Sequence, residues 1–70
     1  MYTCYYFVVT CNHKKFGDIV DHCSILELSL ELAISEVRQY YTYDDKNGWK
    51  VVSVVQPSGD ELDNNDYPLV

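Results

Sequence analysis

The sequence predicts an α+β fold, in which a three-stranded antiparallel sheet of order 2-1-3 carries one helix on one face, in the chain order β-β-α-β. Three observations predict it: an apolar segment that leads into a short polar loop, a helical stripe of apolar residues, and a valine-rich segment before Pro57. The helix is expected to connect the second strand to a parallel third strand by a right-handed crossover. The first strand then lies between them and runs antiparallel to both. Residues 1–57 should form this one domain, with an acidic, mobile tail over residues 58–70.

Residues 2–11 and 16–22 are predicted to form a hairpin. The first range is rich in aromatic and β-branched side chains and lacks Gly and Pro, which is typical of a central strand that is apolar on both faces. The polar loop between them, residues 12–15, has the length that connects hairpin strands. The second range alternates less regularly and contains Gly17 as a candidate bulge, so we expect it at an edge of the sheet.

A helix is predicted to begin at Ile25 and to end within residues 41–43. Ser24 and Glu27 have the spacing of a capping box, in which the serine oxygen accepts an exposed amide and the glutamate reaches back. At about 100° per residue, one core-facing arc of the helix contains Leu26, Leu30, Ala33, Ile34, Val37, Tyr40 and Tyr41. Turn-forming residues follow the helix, and a third strand is predicted over residues 49–56 before Pro57 ends it.

The balance of charge bounds the class of partner. Eleven acidic and five basic residues give a net charge of -6, which repels nucleic-acid phosphates and predicts no direct contact with nucleic acid. A host protein complex with a basic surface is the expected partner. No apolar run approaches the ~20 residues of a membrane span, and no signal segment precedes the domain. A cytoplasmic protein that does not contact a membrane is therefore predicted.

The cysteines and histidines, which could bind a metal or act as nucleophiles, predict neither a metal site nor an enzyme. Three cysteines, an odd number, favour reduced thiols, with a Cys4–Cys23 disulfide as the alternative on oxidation. The metal-like set Cys11, His13, His22 and Cys23 lacks a familiar ligand spacing, and adjacent strand residues point to opposite faces. No glycine-rich phosphate loop or nucleophile signature is present. The sequence predicts a non-enzymatic protein without metal or cofactor.

Several side chains are not explained by the predicted core and are candidates for contact with a partner. One helix covers one face of the sheet, so aromatic residues of the first strand are expected on an uncovered face. Leu28 and Leu32 project away from the core-facing arc, and packing against the hairpin loop or the tail is the alternative explanation. Acidic side chains would meet a basic partner, or imitate the phosphates of a nucleic acid. The predicted partner-binding residues are Tyr5, Phe7, Glu27, Leu28, Glu31, Leu32, Asp44 and Asp45.

The segment from Leu26 to Val54 carries a resemblance to a known family. The run Leu-Glu-Leu-Ser-Leu-Glu-Leu-Ala at 26–33, then Tyr40, then Gly48-Trp49 with valines at 51 and 54, resembles the helix and last strand of small phage inhibitors of bacterial RNA polymerase. Inhibitors of CRISPR defence are a looser match at the level of fold. The resemblance implies a phage or mobile-element protein that blocks a host nucleic-acid-handling complex without catalysis. A small homodimeric structural or accessory protein is the alternative.

Overall fold

A computed structural model describes residues 1–42 and 48–70 of the chain. Its elements, in chain order, are β1 (Thr3–His13), β2 (Gly17–Glu27), α1 (Leu30–Thr42), β3 (Trp49–Val55) and α2 (Gly59–Asn64). The strands form one antiparallel sheet of order β2-β1-β3. The predicted fold class, including the strand order and the helix between the second and third strands, is confirmed.

The β1–β2 hairpin is longer than predicted. The two strands pair without interruption from Thr3 opposite Glu27 to His13 opposite Gly17. The turn is closed by the His13 ring, whose Nδ1 accepts hydrogen bonds from the backbone amides of Lys15 at 2.9 Å and Phe16 at 3.4 Å. Gly17 then enters β2 with a φ of 80°, a left-handed conformation that glycine adopts without steric cost.

The prediction that the helix begins at Ile25 is wrong. Ile25 is buried in β2 opposite Tyr5, and α1 begins at Leu30. The residue that caps the helix is Ser29, whose Oγ accepts the Leu32 amide at 3.2 Å. The capping-box spacing at Ser24 is a local signal, and it is overridden because continuing the hairpin buries Ile25 and pairs its backbone with β1.

The core lies between α1 and one face of the sheet. Its fully buried large side chains are Phe7 and Val9 of β1, Cys23 of β2 and Val37 of α1. The odd-numbered residues of β1 therefore face the helix, because successive strand residues alternate between faces. A register shift between Thr10 and Cys11 marks an irregularity in the β1–β3 ladder, and partly buried residues of β3 complete the packing, namely Trp49, Val51 and Val54.

The segment after Pro57, which composition predicts to be a mobile tail, contains α2 and returns to the sheet. The Tyr67 ring packs edge-on against Tyr6 at 5.6 Å and against His22 at 5.3 Å between ring centroids. Leu69 then forms a short parallel bridge with Ser24 of β2. The acidic segment is held against the sheet by the Tyr67 ring and by backbone hydrogen bonds to Ser24. It therefore covers part of the sheet face opposite α1.

The hairpin register also settles the pairing of cysteines. Cys4 lies opposite Leu26, whereas Cys23 lies opposite Phe7 on the face that meets the helix. The two thiols are therefore on opposite faces of the sheet, and the alternative of a Cys4–Cys23 disulfide is wrong. Cys4, Cys11 and Cys23 are all present as thiols. Neither described helix is long and apolar enough to cross a membrane.

Candidate partner-binding surface

The aromatic residues predicted to meet a partner lie on the helix side of the sheet. Phe7 is 0% exposed and sits at the centre of the core, so its side chain has no surface to offer a partner. Tyr5 is half-buried and packs against the same core. Their placement follows from the register, which turns the odd-numbered residues of β1 toward α1. Asp44 and Asp45 lie outside the described residues.

The other four predicted residues lie together in the chain where β2 gives way to α1. Leu28 is in the connection and 54% exposed, and Leu32 is in the first turn of the helix and 47% exposed. The neighbouring Leu26 and Leu30 are exposed as well. We call these four residues, Leu26, Leu28, Leu30 and Leu32, the leucine junction. Leu26 pairs with Cys4 and so lies on the sheet face away from α1, whereas Leu30 and Leu32 belong to α1. Four exposed leucines within seven consecutive positions are a candidate contact site, since exposed apolar residues that occur singly are ordinary.

Two carboxyl groups lie beside the leucine junction. Glu27 is nearly buried, and its Oε1 accepts the Leu28 amide at 2.8 Å. The pKa of Glu36 is raised, first by a hydrogen bond between its carboxyl group and that of Glu27, then by burial and by the repulsion of the Glu27 charge. Two carboxyl groups this close disfavour each other's ionised form. A cation brought by a partner would relieve that repulsion.

The basic residues of the sheet lie at the other end of the molecule. Lys14 and Lys15 are in the hairpin loop, and Lys50 pairs with Asn12 near it. Thr3 and His13 bound β1, and strand geometry separates them by about 33 Å. The molecule is 39 Å in its longest dimension. Because screening acts over about 8 Å at physiological ionic strength, these lysines do not neutralise the carboxylates of the leucine junction.

A second cluster joins the end of α1 to β2. The Tyr41 hydroxyl donates a hydrogen bond of 2.6 Å to Oδ2 of Asp21. Burial, followed by that hydrogen bond, raises the pKa of Tyr41 far above its ordinary range. Burial also raises the pKa of Cys23, against a lowering by its hydrogen bond with Tyr41 and with a further rise from the Asp21 charge. A buried thiol with a raised pKa stays protonated at neutral pH and is a weak nucleophile.

The same cluster borders a small pocket. It has a volume of about 150 Å³ and is lined by Cys11, Ile19, Asp21, Tyr41 and Trp49. One carboxylate and two aromatic rings in this set can bind a cation, whereas the apolar lining alone would suit any small apolar group. The predicted site residues did not include Glu36, Tyr41 or Trp49. The residues that each of them contacts at these sites are distant in the sequence, and only the tertiary fold brings them together.

The cysteines and histidines singled out in the sequence do not converge. Cys11 and Cys23 are buried on the helix side, and His22 contacts Tyr67 on the opposite face. His13 lies at the hairpin turn, where it contacts Phe16 and Trp49. Within residues 1–42 and 48–70, no group of three or more His, Cys, Asp or Glu side chains is arranged to hold a metal ion.

The candidate surface is therefore the leucine junction with its carboxyl groups, and the pocket beside Asp21 is a second, separate feature. Both are defined by the geometry of this chain alone. Comparison of the chain with protein-family models, with curated proteins and with solved structures found no match.

Proposed function

We propose that this chain is a non-enzymatic protein-binding module that docks its leucine junction on a basic surface of a host nucleic-acid-handling complex. The observation that carries the proposal is the exposure of four leucines next to the Glu27 and Glu36 carboxyl groups. Apolar anchors give contact area, while a charged rim steers association and selects a partner of opposite charge. The net charge of -6 favours the same class of partner.

The specific form of the proposal is an inhibitor encoded by a phage or mobile element that acts in the host cytoplasm. Complexes such as RNA polymerase and CRISPR effectors hold nucleic acid in positively charged channels. An acidic protein that occupies such a channel excludes the nucleic acid. The resemblance of the helix and third strand to phage inhibitors of RNA polymerase supports this form, as does the excess of acidic residues.

Binding without catalysis is supported by the chemistry of the cluster at Tyr41. Burial raises the pKa of the Cys23 thiol, which weakens it as a nucleophile. This observation favours a protein that acts by contact.

A homodimer formed through the leucine junction is the alternative. In a two-fold symmetric dimer the same patch meets itself, so each Glu27 and Glu36 pair would approach the pair of the other copy. That approach adds like-charge repulsion to an apolar contact, whereas a basic partner removes it. Sedimentation analysis at micromolar concentration is expected to give a monomer, and a stable dimer would favour the alternative.

The test uses purified bacterial RNA polymerase and a purified CRISPR effector complex, each assayed for binding to the chain and for its own activity. The variant Leu28→Gln/Leu32→Gln should lose binding to whichever complex is inhibited. Its matched control is Val20→Thr/Val52→Thr, which makes two similarly exposed apolar residues polar elsewhere on the sheet. Binding should also weaken at about 0.5 M salt, where screening acts within a few Å. Absence of binding to both complexes contradicts the specific form of the proposal.

The outcome for the general proposal depends on the two variants. Equal loss of binding in the leucine variant and in its valine control would place the contact elsewhere. Circular dichroism and thermal unfolding of both variants show whether each is folded, so that loss of binding is not confused with loss of structure.

A further inference from the structure

We propose that the pocket lined by Asp21, Tyr41 and Trp49 accepts the guanidinium group of an arginine side chain from a protein partner. The pocket has a volume of about 150 Å³, which suits the end of one side chain. Cys11 and Ile19 also line it. The assignment goes beyond the proposed function, because it names one anchor residue and a site away from the leucine junction.

The aromatic wall of the pocket is held in place. The Trp49 ring lies 4.8 Å from the His13 ring, centroid to centroid, and is stacked near the Phe16 ring at 6.4 Å with an interplanar angle of 19°. Tyr41, which also lines the pocket, is held by its hydrogen bond to Asp21. Planar guanidinium groups stack on aromatic faces and are attracted by the negative charge of the ring. A preorganised wall lowers the entropy lost on binding.

The carboxylate of Asp21 is oriented by two hydrogen bonds. Its Oδ1 accepts the backbone amide of His22 at 2.9 Å, and its Oδ2 accepts the Tyr41 hydroxyl at 2.6 Å. Each carboxylate oxygen can accept more than one hydrogen bond, so both can still receive N–H groups from a ligand. Among the described residues that line the pocket, Asp21 carries a negative charge and none is a lysine or an arginine.

Arginine fits this arrangement better than lysine does. Its planar fork donates two parallel N–H groups to one carboxylate while its face stacks on a ring. The ammonium group of lysine is a compact and strongly hydrated charge, which gains less from an aromatic wall. The pocket offers both features, a carboxylate and aromatic rings, within one small volume.

The pocket and the leucine junction can be tested separately. Asp21 and Glu27 are both residues of β2, and the six residue steps between them span about 20 Å of strand. A substitution at one site therefore leaves the other site's contacts in place. If arginine does not bind the pocket while a partner still binds the leucine junction, the pocket proposal fails. If arginine binds the pocket but no partner binds the leucine junction, the proposed function fails.

The experiment titrates the folded chain with N-acetylarginine methylamide at constant ionic strength. The readout is the nuclear magnetic resonance signal of the indole N–H, which is unique because the chain has one tryptophan. We expect a saturable shift of the Trp49 signal. The citrulline analogue, which has nearly the same shape without the charge, should give no saturable shift.

The variant for this test is Asp21→Asn, which keeps an oxygen acceptor for the Tyr41 hydroxyl and removes the charge. It should weaken arginine binding by up to about fivefold, the value of one exposed ion pair. Asp18→Asn is the matched control, because Asp18 is on the same strand but pairs with Asn12 on the opposite face. Its binding should equal that of the unmodified chain.

Three results would overturn the assignment. The first is an equal response to the arginine and citrulline analogues, a comparison that needs no variant and so does not depend on the folding of Asp21→Asn. The second is equal weakening by Asp21→Asn and Asp18→Asn, which would mean that only overall charge matters. The third is a lysine analogue that binds as tightly as the arginine analogue, which would reject the choice of a guanidinium group.

Discussion

The Tyr41 hydroxyl lies 2.6 Å from Oδ2 of Asp21, and this hydrogen bond joins the last turn of α1 to β2. The two residues are 20 positions apart in the chain. The same bond orients the carboxylate that borders the small pocket, so it serves both the stability of the fold and the shape of that pocket. The end of the helix thus has a polar contact to the sheet in addition to its packing.

Removal of this contact should destabilise the protein measurably. Tyr41→Phe keeps the partly buried ring and deletes the donor, so we expect the free energy of unfolding to fall by about 1 kcal/mol, or about 4–8 °C in Tm for a domain of this size. Urea unfolding followed by circular dichroism measures the change. Tyr40→Phe is the control, because the adjacent Tyr40 is exposed. An equal loss in both variants would contradict a specific role for the Asp21 bond.

Glu36→Gln should stabilise the protein at neutral pH. The pKa of Glu36 is raised above its ordinary value of 4.5, chiefly by its hydrogen bond with Glu27. A raised pKa in the folded state contributes stability below the unfolded pKa, and this contribution is lost as pH rises through the folded pKa. At pH 7 the ionised pair is therefore a cost, which glutamine removes while still donating a hydrogen bond to Glu27.

The measurement is Tm as a function of pH for Glu36→Gln and for Glu31→Gln. The gain from Glu36→Gln should be present at pH 7 and should disappear below about pH 4.5, where the carboxyl group is protonated in both states. Glu31→Gln should give no gain, because Glu31 lies in the first turn of α1, where a negative charge is favourable. A gain for Glu36→Gln that persists below this pH would rule out the proposed repulsion.

Tyr67→Ala should loosen the C-terminal segment from the sheet. The ring is the contact of this segment with Tyr6 and His22, and the backbone carbonyl of Tyr67 accepts the Ser24 hydroxyl at 2.8 Å. Loss of the ring should lower Tm and speed hydrogen exchange at the Val70 amide, which donates to the Ser24 carbonyl. Tyr2→Ala is the control, since Tyr2 is exposed. Unchanged exchange at Val70 would show that the ring does not hold the segment.

Patterns within a few residues predicted the architecture, while long-range contacts decided the details. The periodicity of apolar residues and the handedness of the crossover connection predicted the order β-β-α-β and the strand order, both confirmed, whereas α2 was not predicted. The capping-box spacing at Ser24 could not reveal that the serine instead bonds to Tyr67, 43 positions away. Similarly, alternation in β1 shows two faces but not which one meets the helix, so Phe7 was assigned to a surface although it is buried.

The candidate site was predictable only in part, for the same reason. Leu28 and Leu32 could be recognised because they are apolar where a helix is expected to be polar, and both are exposed. Glu36 was not singled out for binding, since its neighbour Glu27 belongs to a different element once β2 extends to that residue. The pocket at Asp21 depends on residues from β1, β2, α1 and β3, and no spacing along the chain brings them together.

The three thiols should differ in reactivity in a way that reports the register of the hairpin. Cys4 is half-buried on the face opposite α1, whereas Cys11 and Cys23 are buried toward the core. Burial also raises the pKa of Cys23, and the thiolate is the reactive form. Brief alkylation of the folded protein should therefore modify Cys4 first, as measured by peptide mass spectrometry, and Cys4→Ser should abolish the fast phase. In urea all three should react at similar rates. Labelling of Cys23 as fast as Cys4 in the folded protein would contradict the placement of Cys23 opposite Phe7 in the core.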